Sequence, residues 1–189
     1  AWRDFLDGAP PPALRTLGEG LMLRAHRLLQ VAGELPPGPA GDLESATLHT
    51  VGVGLADLAA TCRIEVELAS GDTHALWEAI EAATTRARFA SSPARAAAEQ
   101  ARCRQLLEAL RQLGAREEER TRSIQRVLSL CTSLERARRQ AERVIAHAEG
   151  TDEARRQARL REATARLDRD SRLLAAAVDE VAGLGGEAR

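Results

Sequence analysis

The sequence predicts an all-α fold: an elongated antiparallel helical bundle or coiled coil around one very long central helix. Three observations predict it. From Ala96 to Ala148, alternating steps of three and four residues meet an apolar side chain at twelve of sixteen positions, the a/d seam of a packed helix. No proline follows Pro93. Hydrophobic residues make up 44% of the chain but aromatics only 2%. The core is therefore alanine, leucine and valine, which suits helix-on-helix packing better than a sheet rich in β-branched and aromatic residues.

Taken in order, Trp2 and Phe5 are half of the chain's aromatics and lie before Asp7-Gly8 and three prolines. They read as an apolar anchor for a neighbouring helix, or as a docking peptide. A first helix over 12–32 carries Leu14, Leu17, Leu21, Ala25, Leu28 and Ala32 on one face. Pro12 suits its first turn. Gly18 and Gly20 weaken it and permit close backbone approach. Residues 33–41 hold three prolines and three glycines and read as a linker.

A second helix is expected over 42–90, with Asp42 as N-cap and Leu48, Val51, Leu55, Leu58, Cys62 and Ala69 along its seam. Gly52 and Gly54 sit in its middle. Residues 62–68 alternate as a half-buried strand would, but no second strand-like run offers a partner, so the segment reads as helix. A kink is expected near 70–73, with Asp72 or Thr73 as cap. Beyond it Leu76, Ile80, Ala83 and Ala87 form a face flanked by Trp77. Ser92 as cap and Pro93 at the first helical position then start the long helix over 92–149 after a tight reversal.

The weak point of the long helix is 114–122, GAREEERTR, where the seam meets Glu117 and Arg120. Either Gly114 ends one helix or the helix runs through. Leu106, Leu110 and Leu113 keep the phase of Ile124, Val127, Leu134 and Ile145, which favours one helix of about 85 Å. The polar seam positions mark a change of partner helices. A last helix over 151–184 is expected after Gly150, capped by Thr151. Leu160, Ala163, Leu167, Asp170, Leu174, Ala177, Val181 and Leu184 form its seam, and Gly183, Gly185 and Gly186 end it. It folds back on the second half of the long helix, while the 42–90 helix covers the first. The whole of 1–189 reads as one module.

The residue list points away from chemistry. There is no HExxH, GxSxG, Walker loop or GxGxxG. His26, His49, His74 and His147 form no i, i+4 pair. Three widely spaced cysteines, Cys62, Cys103 and Cys131, fit neither a disulfide framework nor zinc. No enzyme, cofactor or metal is expected. The odd number and wide spacing of the cysteines fit an intracellular, reducing compartment. No run of 18 apolar residues and no signal peptide occur, and the missing initial Met reads as an excised fragment.

Net charge is −1. Residues 1–91 hold 7 Arg and 12 acids, and residues 92–189 hold 20 Arg and 16 acids. That asymmetry is too mild to expect nucleic acid as a partner. One candidate interaction patch stands out: Arg136, Arg139 and Arg143 before the Gly150 turn, with Arg155, Arg156 and Arg159 after it. The bland alternative is a solvated face, because Glu135, Glu142 and Glu162 are interleaved.

All 27 basic residues are arginine, and lysine, asparagine and tyrosine are absent. That usage reflects GC-rich codons. Beside sustained heptads, it resembles the helical central region of the large tegument protein of GC-rich herpesviruses. The resemblance implies a virion scaffold joining capsid to other tegument proteins, in the virion and the host cell. The helical plan also looks like a spectrin-type repeat or a BAR-like membrane-curvature module. The expected function is a structural scaffold: a stiff spacer binding other proteins or a second copy of itself. A membrane surface is the alternative partner.

Overall fold

A computed structural model describes residues 2–146 and 153–186, apart from the side chains at 153, 156 and 178–186. It is an all-α helical bundle, with no strand among the described residues. The helices are α1 (Trp2–Asp7), α2 (Pro12–Ala32), α3 (Pro37–Ser70), α4 (Thr73–Arg88), α5 (Pro93–Ala146) and α6 (Glu153–Gly186). The packing divides the chain into two compact units, one of Ala1–Cys62 with Ser123–Arg189 and one of Arg63–Arg122. The division on α5 falls at the end of the polar stretch 114–122.

Within the first unit, α1, α2, α3, α5 and α6 share one hydrophobic core. Leu21, Leu28, Leu58, Val127 and Leu134 are fully enclosed in it. Asp57 meets Arg126, Thr61 meets Ser123, and Gly54 lies beside Leu130. Numbers fall on α3 as they rise on α5, so this pair is antiparallel. Gly54 also faces Leu21 of α2: a Cβ there would sit 2.7 Å from Leu21 Cδ2 and 3.2 Å from Leu130 Cδ1. Glycine is what lets three helices meet at that level. A Cβ on Gly18 would lie 2.9 Å from the Phe5 ring and 3.0 Å from Trp2, so α1 is seated on the bare backbone of α2. The companion glycines do otherwise. Gly52 has open space, and Gly20 meets only Arg24 Nη1.

A buried polar row runs along α3. Thr47, Thr50 and Thr61 are fully buried. Each hydroxyl donates to the carbonyl four residues back, on Leu43, Ala46 and Asp57, at 2.6, 2.7 and 2.8 Å, which satisfies the buried donors within the helix; Thr61 also bonds Ser123. This row corrects the expected seam of α3. Leu48 is 56% exposed, because the helix turns its Thr47–Thr50 side inward.

Two boundaries also move. The linker over 33–41 is shorter than its composition implies, since α3 begins at Pro37. Its first turn can hold Pro37 and Pro39 because the N–H groups they lack have no intrahelical acceptor there. Ala40 N–H donates to Pro36 O at 3.1 Å, opening the ladder. Asp42 therefore lies inside the helix and is not its N-cap. At the other end α6 runs through Gly183 to Gly186, as glycine weakens a helix without being forced to stop it.

The second unit is a helical hairpin. The kink expected near 70–73 is a break: α3 stops at Ser70, and Asp72 caps α4 by accepting from Ala75 N–H at 2.9 Å. A Cβ on Gly71 would come within 2.7 Å of Leu113 Cδ2, so the break admits that leucine. Ser92 Oγ accepts from Arg95 N–H at 3.3 Å, and Pro93 opens α5 as the sequence implies. Arg116 pairs with Glu67 at 3.0 Å, Arg120 with Glu65 at 2.5 Å, and Arg86 with Glu99 at 3.1 Å. Helix α5 continues through Gly114, with no atom within 4 Å of a Cβ built there. The polar seam residues Glu117 and Arg120 thus form ion pairs on an unbroken helix.

Candidate functional site

The sequence places an apolar seam on α5 and an arginine patch around the α5–α6 turn. On the seam, Val127 and Leu134 are fully buried, Ile124 and Ile145 pack partly buried against the core, and Leu106, Leu110 and Leu113 are half-buried. Past Leu134 the buried positions are Ala137, Ala141 and Val144, where the heptad phase puts Arg138, Ala141 and Ile145. The difference is one of phase. The buried residues Ser123, Val127, Leu130, Leu134, Ala137, Ala141 and Val144 keep a seven-residue repeat of their own, and it shares Val127, Leu134 and Ala141 with the expected seam while its other positions fall one residue earlier. Arg138 is left on the flank, where it donates to Glu135 at 2.7 and 3.1 Å and also bonds Glu142.

These ion pairs have a titration signature. Hydrogen bonds from Arg138 hold the Glu135 carboxyl down, from the ordinary 4.5 to about 2, with further help from Arg139 against the cost of burial. A folded-state value below the unfolded one stabilises the fold above pH 4.5, and that contribution is lost as pH falls from about 4.5 towards 2. Urea midpoints measured across this window should fall less steeply for Glu135→Gln than for the parent chain. Cys131 is buried, and burial pushes its thiol up against the pull of Arg24. It acts as a small apolar filler.

The patch resolves into a groove of about 390 Å³ between α5 and α6. Arg136, Arg139 and Arg143 come from α5, with Arg159 and Arg166 from α6. Ser133, Ala137, Ala163 and Leu167 also line it. Small side chains on facing positions leave the space that the arginines surround. Ser133 Oγ donates to Asp170 at 2.6 Å, which fixes the antiparallel register beside it. Arg139 pairs with Glu135 at 3.2 Å and Arg166 with Glu162 at 3.4 Å. Among the described residues no carboxylate pairs with Arg136, Arg143 or Arg159.

Of the predicted patch, four arginines meet here. Arg155 is exposed and does not line the groove. The side chain of Arg156 lies outside the described residues, as do the Gly150 turn, the Thr151 cap and the seam side chains Val181 and Leu184. Arg166 and Gln140 complete the groove. Arg166 is one helical heptad from Arg159, and that spacing is the signal that places both on one face. Among the described residues no group of three or more His, Cys, Asp or Glu could hold a metal, and no helix is long and apolar enough to cross a membrane.

Comparison with known proteins adds no relative: no family model, curated protein or solved structure matches the chain. The class that the fold defines is an all-α helical bundle.

Proposed function

We propose that this chain is a non-enzymatic helical scaffolding module that uses the 63–122 hairpin as its protein-binding face. One observation carries the reading. Among the described residues of the hairpin, Ile64, Ile80 and Ala83 are the buried apolar side chains, while Leu106, Leu107, Leu110 and Leu113 stay half-buried. Trp77 is 51% and Phe89 78% exposed. The end of α3 and α4 together form one arm, which covers only one side of the leucine-rich stripe on α5, and a four-helix bundle is the usual way to close such a pair of arms. Exposed aromatic and aliphatic side chains of this kind mark interaction surfaces.

The partner we assign is a second copy. The hairpin holds ten arginines and ten acids, so no like-charge repulsion opposes its self-pairing, and a two-fold interface needs only one self-complementary patch. The unbroken α5 supports the spacer part of the reading. The compositional likeness to large tegument proteins would make the module a virion scaffold, but the reading stands on the hairpin face without it.

Light scattering on the whole chain is expected to give twice its 20.4 kDa mass. Leu106→Glu with Leu110→Glu should return the chain to single copies with its helix content intact. A monomer at every concentration, or a dimer indifferent to the two glutamates, would remove this proposal.

A further inference from the structure

We infer that the α5–α6 groove is a binding site for an extended acidic peptide segment. The groove belongs to the first unit and is distinct from the hairpin face, so its failure and the failure of the scaffolding reading are separately observable.

Charge gives the ligand its sign. Arg136, Arg143 and Arg159 carry no partner carboxylate among the described residues. Glu162 lines the groove and is held by Arg166, and Glu135 beside it is held by Arg139, so against one lining carboxylate stand five lining arginines. Unpaired guanidiniums around a concave space are poised for oxyanions, because each presents a planar fork matched to a carboxylate or phosphate.

Spacing gives the ligand its form. Arg136 and Arg143 are seven residues apart on one helix, about 10 Å at 1.5 Å per residue. Arg159 and Arg166 repeat that separation on the facing helix. An extended peptide in the polyproline II form advances about 3.1 Å per residue with about three residues per turn, so acidic side chains three residues apart lie on one side and reach both ends of the groove. Ala137, Ala163 and Leu167 offer the intervening residues an apolar surface.

Other polyanions fit less well. A flat bilayer surface does not enter a concavity between two helices. A nucleic acid asks for a basic track longer than this one, and here Glu135, Glu142 and Glu162 interrupt the face.

Fluorescence anisotropy with a labelled synthetic peptide tests the assignment. The probe carries aspartate at every third position among glycine and serine. It should bind the parent chain, more weakly as salt rises. The triple variant Arg136→Gln, Arg143→Gln, Arg159→Gln should lose at least tenfold in affinity. None of these arginines holds an ion pair, so the fold should survive, as circular dichroism will show. The single variants Arg143→Gln and Arg159→Gln guard against cumulative loss. Arg102→Gln, exposed on the hairpin, removes the same charge elsewhere and should leave affinity unchanged. The three Arg→Lys replacements should weaken binding while keeping the charge. The proposal is overturned if the peptide binds no better than an uncharged one, or if the triple variant binds as the parent does. It is also overturned if phosphatidylserine vesicles or a single-stranded oligonucleotide bind through these arginines and the peptide does not.

Discussion

Arg126→Met is expected to destabilise the first unit by about 3–5 kcal/mol, the usual cost of breaking a buried ion pair on one side. Asp57 is 2% exposed on α3. Both of its carboxylate oxygens face Arg126, at 3.0 Å from Nη2 and 3.2 Å from Nε. This fork-on-carboxylate geometry combines charge with two directed hydrogen bonds. Remove the guanidinium and a carboxylate remains beside fully buried Leu58 and Thr61 without its charge partner. Urea unfolding followed by circular dichroism gives the measurement. The double replacement Asp57→Leu with Arg126→Met should recover most of the loss, because an apolar pair carries no desolvation cost. If the single variant loses less than about 1 kcal/mol, within the range of surface pairs, water reaches Asp57 and the site is not sealed.

Gly114→Pro is expected to cost about 3 kcal/mol or more, since proline removes an interior helix hydrogen bond and its ring meets the preceding turn. Gly114→Ala should move stability the other way, by up to about 1 kcal/mol, through the lower helix propensity of glycine. Opposite signs at one position are the mark of a glycine inside a helix with room for a methyl group, which is what the open space around it implies. At a helix-ending glycine in the left-handed region, alanine would destabilise instead. The pair of variants therefore tests whether α5 runs unbroken through GAREEERTR. Hydrogen exchange offers a second view: amides at 115–120 should be protected as helix, and the proline variant should lose that protection locally.

Much of the fold is legible in the chain because its signals are local. Pro12 to Ala32 reads as a helix from its apolar spacing, and Ser92-Pro93 reads as a helix start from cap chemistry. Phase retention from Leu106 to Leu134 marks α5 as continuous. The signals that mislead are those whose meaning depends on neighbours. Proline and glycine over 33–41 look like linker until the first turn of α3 is seen to need no N–H at Pro37 and Pro39. Leu48 looks like core until Thr47 and Thr50 are found on the inner side, bonding the carbonyls of Leu43 and Ala46. The arginine cluster is visible as composition, but the sequence cannot distinguish a solvated face from a groove.

The sequence by itself determines that this protein is helical, roughly where five of the six described helices lie, and that its core is poor in aromatics. Each follows from spacing or composition within a few turns of chain. The tertiary structure alone decides which side of each helix is inside, and the reason is geometric. Two seven-residue phases share Val127, Leu134 and Ala141; one would put Arg138 inside and the other puts Ala137 there. Only packing against α3 and α6 selects between them, and the same packing leaves Arg136, Arg143 and Arg159 facing an open groove.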